Sequence, residues 1–148
     1  MKLFMAAVVL FFPMYQYAQS STKGDVNAML TALKSRTISR VEVLRIPDDV
    51  TTIVAVTTEY LRKSPSYTIV MNSGFEPSLE SLLSGMSSEQ SAMTSDLRWG
   101  LLLFDKSGHE VGSVFIDQFG MNGYLNGKSV SFSVNMARRM RKFIQELR

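Results

Sequence analysis

The chain has no cysteine and only one histidine and one tryptophan in 148 residues. Without cysteine there is no disulfide frame, no thiol nucleophile and no thiolate cluster for zinc. A Ser–His–acid arrangement would have to use His109, which sits beside Gly108 at the tip of a predicted hairpin. A catalytic base needs a group to orient it and a cleft to exclude water, and a hairpin tip offers neither. Oxygen ligands at alternate positions, as a calcium loop requires, are missing from "DKSGHEVGSVFID". Gly-rich phosphate loops are missing too, because "GHEVG" and "GMNGYLNG" lack the strand–loop–helix setting and the lysine. No metal and no cofactor is expected. Net charge is also small, +3 from 16 basic and 13 acidic residues, and argues for no nucleic-acid partner.

Long apolar runs are equally scarce. The longest, Leu3 to Phe12, has ten residues, half of the roughly 20 that cross a bilayer. Lys2 precedes it, Pro13 breaks it, and Ala18-Gln19-Ser20 supplies small residues where a signal peptidase reads. This is the layout of a secretory signal peptide over residues 1–20. It leaves an expected single domain over 21–148, with net charge +2 once Lys2 is removed. A domain of that size buries about two-thirds of its unfolded surface, so apolar burial alone can hold it. Export without cysteine points to a bacterial periplasmic or secreted protein.

Along this expected domain, "DVNAMLTALKSR" (25–36) reads as a helix capped by Asp25, with Val26, Met29, Leu30 and Leu33 on one face. "SRVEVLRI" (39–46) alternates as a strand. The β-branched "VTTIVAV" (50–56) predicts a second strand, and Thr57 or Thr58 a short helix after it. "SYTIVMN" (66–72) is a strand, "PSLESLLSGM" (77–86) a short helix and 84–96 an exposed connection. "LRWGLLLFD" (97–105) is the strongest strand, with Leu97, Trp99, Leu101 and Leu103 on one face. "EVGSVFID" (110–117) returns antiparallel, and Asn126-Gly127 centres a further hairpin. "VNMARRMRKFIQELR" (134–148) carries Met136, Met140, Phe143, Ile144 and Leu147 as one apolar stripe. The order predicts an α+β fold: a single antiparallel sheet with helices packed on one face, closed by a C-terminal amphipathic helix.

Two groups of residues remain as candidates. Asp96 and Asp117 approach each other at one end of the 97–117 hairpin and could run acid–base hydrolysis if one pKa were raised. Strand ends are also where solvated acids sit, and Arg98 beside Asp117 would make a plain cross-strand ion pair. The basic side of the last helix, Arg138, Arg139, Arg141 and Lys142, is either a solvated face or a docking surface for an acidic protein partner, with Arg98 a lesser candidate. Membrane contact through the same side is less favoured.

The segment 96–132 carries D-x-R-W-G, then D-x-x-G in the turn, then S-V-F-I-D-x-F-G, then N-G. In this it resembles small exported bacterial proteins of no assigned function, as "IPDDVTTIVAVTTEYL" (46–61) does more faintly. The shared positions are strand and turn residues, so the resemblance implies a common fold and carries no activity. The leading expectation is an exported, non-enzymatic protein-binding domain of inhibitor or immunity type. A small carboxylate-dependent hydrolase and an envelope-associated structural protein are the alternatives.

Overall fold

In the computed structural model, residues 22–47, 49–64, 66–71, 74–91 and 96–146 are described. The expected signal peptide, Asp48 and Leu147 lie outside them. Helix α1 (Thr22–Lys34) leads into β1 (Ile38–Arg45), then α2 (Thr58–Arg62), β2 (Ser66–Val70) and α3 (Glu76–Ser84). Next come β3 (Ser88–Gln90), β4 (Leu97–Asp105), β5 (Glu110–Asp117), β6 (Asn122–Leu125), β7 (Lys128–Phe132) and α4 (Met136–Glu146). Among the described residues the strands form one antiparallel sheet in the order β2-β1-β4-β5-β6-β7-β3. The fold is therefore α+β, as expected. No helix among the described residues is long and apolar enough to cross a membrane.

The main core lies between one face of the sheet and α1, α3 and α4. Val41, Val43, Trp99, Leu101, Leu103, Val114 and Ile116 supply the sheet side. Met29 and Leu33, Leu79 and Leu83, and Met136, Met140 and Phe143 come down on it from the three helices. These are the i, i+3, i+4, i+7 positions that the helical stripes present. The opposite face is covered in part by α2 and the chain leading to it: Leu44, Ile46, Val56, Leu61, Leu97, Leu102 and Phe115 form a second, smaller cluster.

Four local expectations change. Leu97 belongs to the second cluster, away from Trp99, because a bulge at Arg98 puts Leu97 opposite Asp117 but Trp99 opposite Ile116. One inserted residue reverses the alternation of every side chain on its N-terminal side. Asp25 does not cap α1, which starts at Thr22. Its carboxylate instead takes Lys128 Nζ at 2.8 Å and so ties α1 to the sheet. Residues 50–56 form no strand, because both neighbours of β1 are already β2 and β4. Finally, β3 forms inside the expected connection 84–96 by pairing with β7 at the sheet edge.

The β6–β7 turn is the expected hairpin, with Asn126 at φ 48° and Gly127 at φ 78°. The same hairpin is pressed against β5 at Gly123, where an added Cβ would lie 1.8 Å from the carbonyl oxygen of Phe115. Only a residue with no side chain fits there.

Candidate functional site

The end of the sheet where β4 begins and β5 finishes gathers three elements: the strap 49–57, the turn 117–121 and the outer side of α4. Between them is a cleft of about 400 Å³, lined by Val50, Thr51, Arg98, Gln118, Phe119 and Arg141. A second recess of about 340 Å³ lies under the strap, from Val50 to Val56, and is bounded by Tyr60. Both volumes fall toward the lower end of small-ligand pockets, roughly 300–1,000 Å³.

The middle of the strap is apolar yet outside the core, while Val56 near its end is buried in the second cluster. Ile53 is fully exposed (103%) and Val54 is 70% exposed. Its course is fixed by polar groups instead. Arg98 is buried, and its guanidinium donates to the Val50 carbonyl (2.9 Å), the Thr52 hydroxyl (3.1 Å) and Asp96 (2.7 Å). The other Asp96 oxygen accepts the Val56 N–H at 2.8 Å. The Arg98–Asp96 pair thus holds the strap near both ends. Beyond it, Thr57 caps α2 by accepting the Tyr60 N–H.

The turn 117–121 is held as firmly. Asp117 is buried and accepts the Met121 N–H (3.0 Å) and the Asn122 side-chain amide (3.3 Å). Asn135 caps α4 by accepting the Arg138 N–H, and its own amide donates to the Phe119 carbonyl. Met136 N–H donates to the Gly120 carbonyl. Phe119 is left at the tip, 67% exposed.

Trp99 is buried beneath this end. The Arg45 guanidinium lies over its ring at 4.5 Å and that of Arg141 at 5.8 Å, within cation–π range. Arg141, which lies over this ring, also lines the cleft.

The basic residues picked from the sequence separate into two groups. Arg98 and Arg141 meet in the cleft. Arg139 leans instead on α3, donating to the Ser81 carbonyl at 3.3 Å, and with Lys142 it lines a groove of about 150 Å³ between α3 and α4. Arg138 is exposed, and Lys142 is 3.8 Å from Glu146.

The carboxylates separate too. Arg98 pairs with Asp96 and not with Asp117, because the bulge at Arg98 moves its side chain off the cross-strand register. Neither Asp96 nor Asp117 is among the cleft-lining residues, and each is engaged in bonds that fix the backbone. Asp105 caps the β4–β5 turn. The N–H of His109, then that of Ser107, holds its carboxyl below the ordinary value. His109 itself is exposed at the tip. Among the described residues no group of three acidic or histidine side chains could hold a metal ion.

The residues that the sequence reading missed are Val50, Ile53, Val54 and Phe119. A β-branched run reads as strand, and a phenylalanine between two turn residues was the one available signal.

Two predictions arise here. Arg98→Met should cost about 2 kcal/mol, below the roughly 3–5 kcal/mol of a fully buried pair because Asp96 reaches water. It should also open the strap to limited proteolysis at 50–56, and an unchanged cleavage rate would refute the clamp. At the far end of α2, Arg62 binds Glu110 through two hydrogen bonds of 2.7 and 3.0 Å. That bond chiefly holds the Glu110 carboxyl below its ordinary value. The stabilisation is complete above the unfolded-state value near 4.3 and is lost as pH falls through the folded-state value. Both side chains are about a third exposed, so Glu110→Gln should cost only about 0.5 kcal/mol at pH 7. As pH falls through that lowered folded-state value, the urea midpoints of variant and wild type should converge.

Compared with protein-family models, curated proteins and solved structures, the chain finds no match.

Proposed function

We propose that this is an exported bacterial domain, periplasmic or secreted, that binds an acidic protein partner and acts as an inhibitor or immunity-type protein. The observation that carries the reading is the sheet-end surface: an exposed aromatic and an exposed aliphatic strap beside Arg141 of α4. Aromatic and arginine side chains are the residues that dominate binding energy at protein interfaces. The leader-like pattern of residues 1–20 and the lack of cysteine support export. The hydrolase alternative gains no geometry, since Asp96 and Asp117 are both spent on backbone bonds.

The test is affinity capture from periplasmic extract, comparing wild type with Arg138→Glu/Arg141→Glu/Lys142→Glu. Arg139 is left unchanged because it braces α3. The expected result is a stoichiometric acidic partner held by wild type and lost from the variant. Identical capture by both proteins would sink this reading of the surface.

A further inference from the structure

We propose that the outer edge of β2 pairs with the β2 of a second copy of this chain, antiparallel about a two-fold axis at Thr68. The product is a reversible homodimer with one continuous sheet. This is independent of the protein-binding reading above.

The sheet ends in β3 on one side and in β2 on the other, and the two edges are built differently. Strand β3 has only 3 residues, carries Glu89 and lies against α1. Its outward carbonyl at Ser88 accepts the Thr22 hydroxyl at 2.8 Å. Shortness, charge and a covering helix are devices that keep edge strands from pairing further. Strand β2 shows none of them. Ser66-Tyr67-Thr68-Ile69-Val70 contains no charge and no proline. Its register against β1 runs unbroken from Arg40–Val70 to Leu44–Ser66. The Met71 N–H donates to the Ser39 carbonyl at 2.9 Å, which fixes the alternation of the ladder. Ile69 and Tyr67 therefore exchange main-chain bonds with Val41 and Val43, and the N–H and C=O groups of Ser66, Thr68 and Val70 point away from β1. Among the described residues no strand lies beyond them, and Thr68 at their centre is exposed.

The outward groups are symmetric about Thr68, and this selects the chain's own copy as the occupant. A second β2 laid antiparallel sets Thr68 against its counterpart and Ser66 against Val70, so each outward N–H meets an outward C=O. A strand without charge brings no like charges together. The ladder adds about six main-chain hydrogen bonds, and at roughly one per 100–200 Å² that implies a buried area of roughly 600–1,200 Å². Such an area suits a weak, reversible dimer and not an obligate one. Because the β3 edge is covered, the sheet does not grow from its other side and association closes at the dimer.

The test is sedimentation equilibrium of the purified protein up to about 1 mM, with a circular dichroism melt of each variant. The expected result is a monomer–dimer equilibrium with a Kd on the order of 10–100 µM. Thr68→Pro removes the central outward N–H and no bond to β1, so it should weaken the dimer about tenfold or more while the melt changes little. Thr68→Lys sets two ammonium groups opposite each other across the axis and should weaken it likewise. The lysine variant decides the matter should the proline variant fail to fold. Gln90→Pro, at an outward position of β3, should leave the dimer unchanged. A protein that stays monomeric at the highest concentration, or a dimer indifferent to a folded Thr68 variant, would overturn the proposal. A dimer lost on Gln90→Pro and kept on Thr68→Pro would overturn it by moving the interface to β3. A monomer that binds a foreign extended peptide, with binding lost on Thr68→Pro, would assign the β2 edge to a partner strand and overturn it too.

Discussion

Trp99→Ala should lower the unfolding free energy by about 3–5 kcal/mol, the range for deleting a large buried aromatic. For a domain of this size that is a fall in Tm of roughly 12–20 °C. It is a large part of a total stability of about 5–15 kcal/mol. Trp99 is fully buried, belongs to the main core and touches two guanidinium groups. Its loss leaves a cavity and frees Arg45 and Arg141 from the ring. Trp99→Phe separates these effects. It fills much of the space and also removes the indole N–H, which has no hydrogen-bond partner among the described residues. It should cost less than half as much. Circular dichroism melts read both variants, since neither retains a tryptophan. An alanine variant melting within a few degrees of wild type would contradict the placement of Trp99 in the core.

Gly123→Ala should cost about 3 kcal/mol, at the upper end for overpacking. The added methyl would meet the Phe115 carbonyl oxygen at 1.8 Å, its carbon at 2.8 Å and Ile116 Cα at 3.1 Å. All three are backbone atoms of β5, so no rotamer change relieves the clash. Strand β6 must move off β5. The β6–β7 hairpin carries β3 as its outer neighbour, so the whole edge of the sheet should loosen with it. Hydrogen exchange should show lost protection in β6, β7 and β3, with β1 and β4 protected as before. An unchanged urea midpoint would refute the close approach.

The sequence showed the fold class through its strongest periodic segments. β4, β5, the Asn126-Gly127 hairpin and the apolar stripe of α4 fall where alternation and the 3.6 repeat put them. Its errors share one cause: they depend on neighbours that are distant in the chain. Residues 50–56 have strand composition but no free strand to pair with, so they cross the second face as a strap. Ser88–Gln90 have little strand character but lie beside the free edge of β7. Leu97 changed face because of a one-residue bulge, which alternation alone does not reveal. The candidate site was half legible. Arg98 and Arg141 could be named as candidates, 43 positions apart, but only the packing of α4 over Trp99 brings them together. Phe119 and the strap could not be chosen, because exposure of apolar residues is a property of the folded surface.

The sheet end between Phe119 and the strap is proposed as a protein-binding surface. A photo-crosslinking amino acid at position 119, in the chain produced by its native cells, tests it most directly. The expected result is an ultraviolet-dependent adduct with one acidic protein. That adduct should be absent when the crosslinker is at position 106 and should disappear when Arg141→Glu is combined with the probe at 119. Equal crosslinking from positions 119 and 106, or an adduct indifferent to Arg141→Glu, would contradict it.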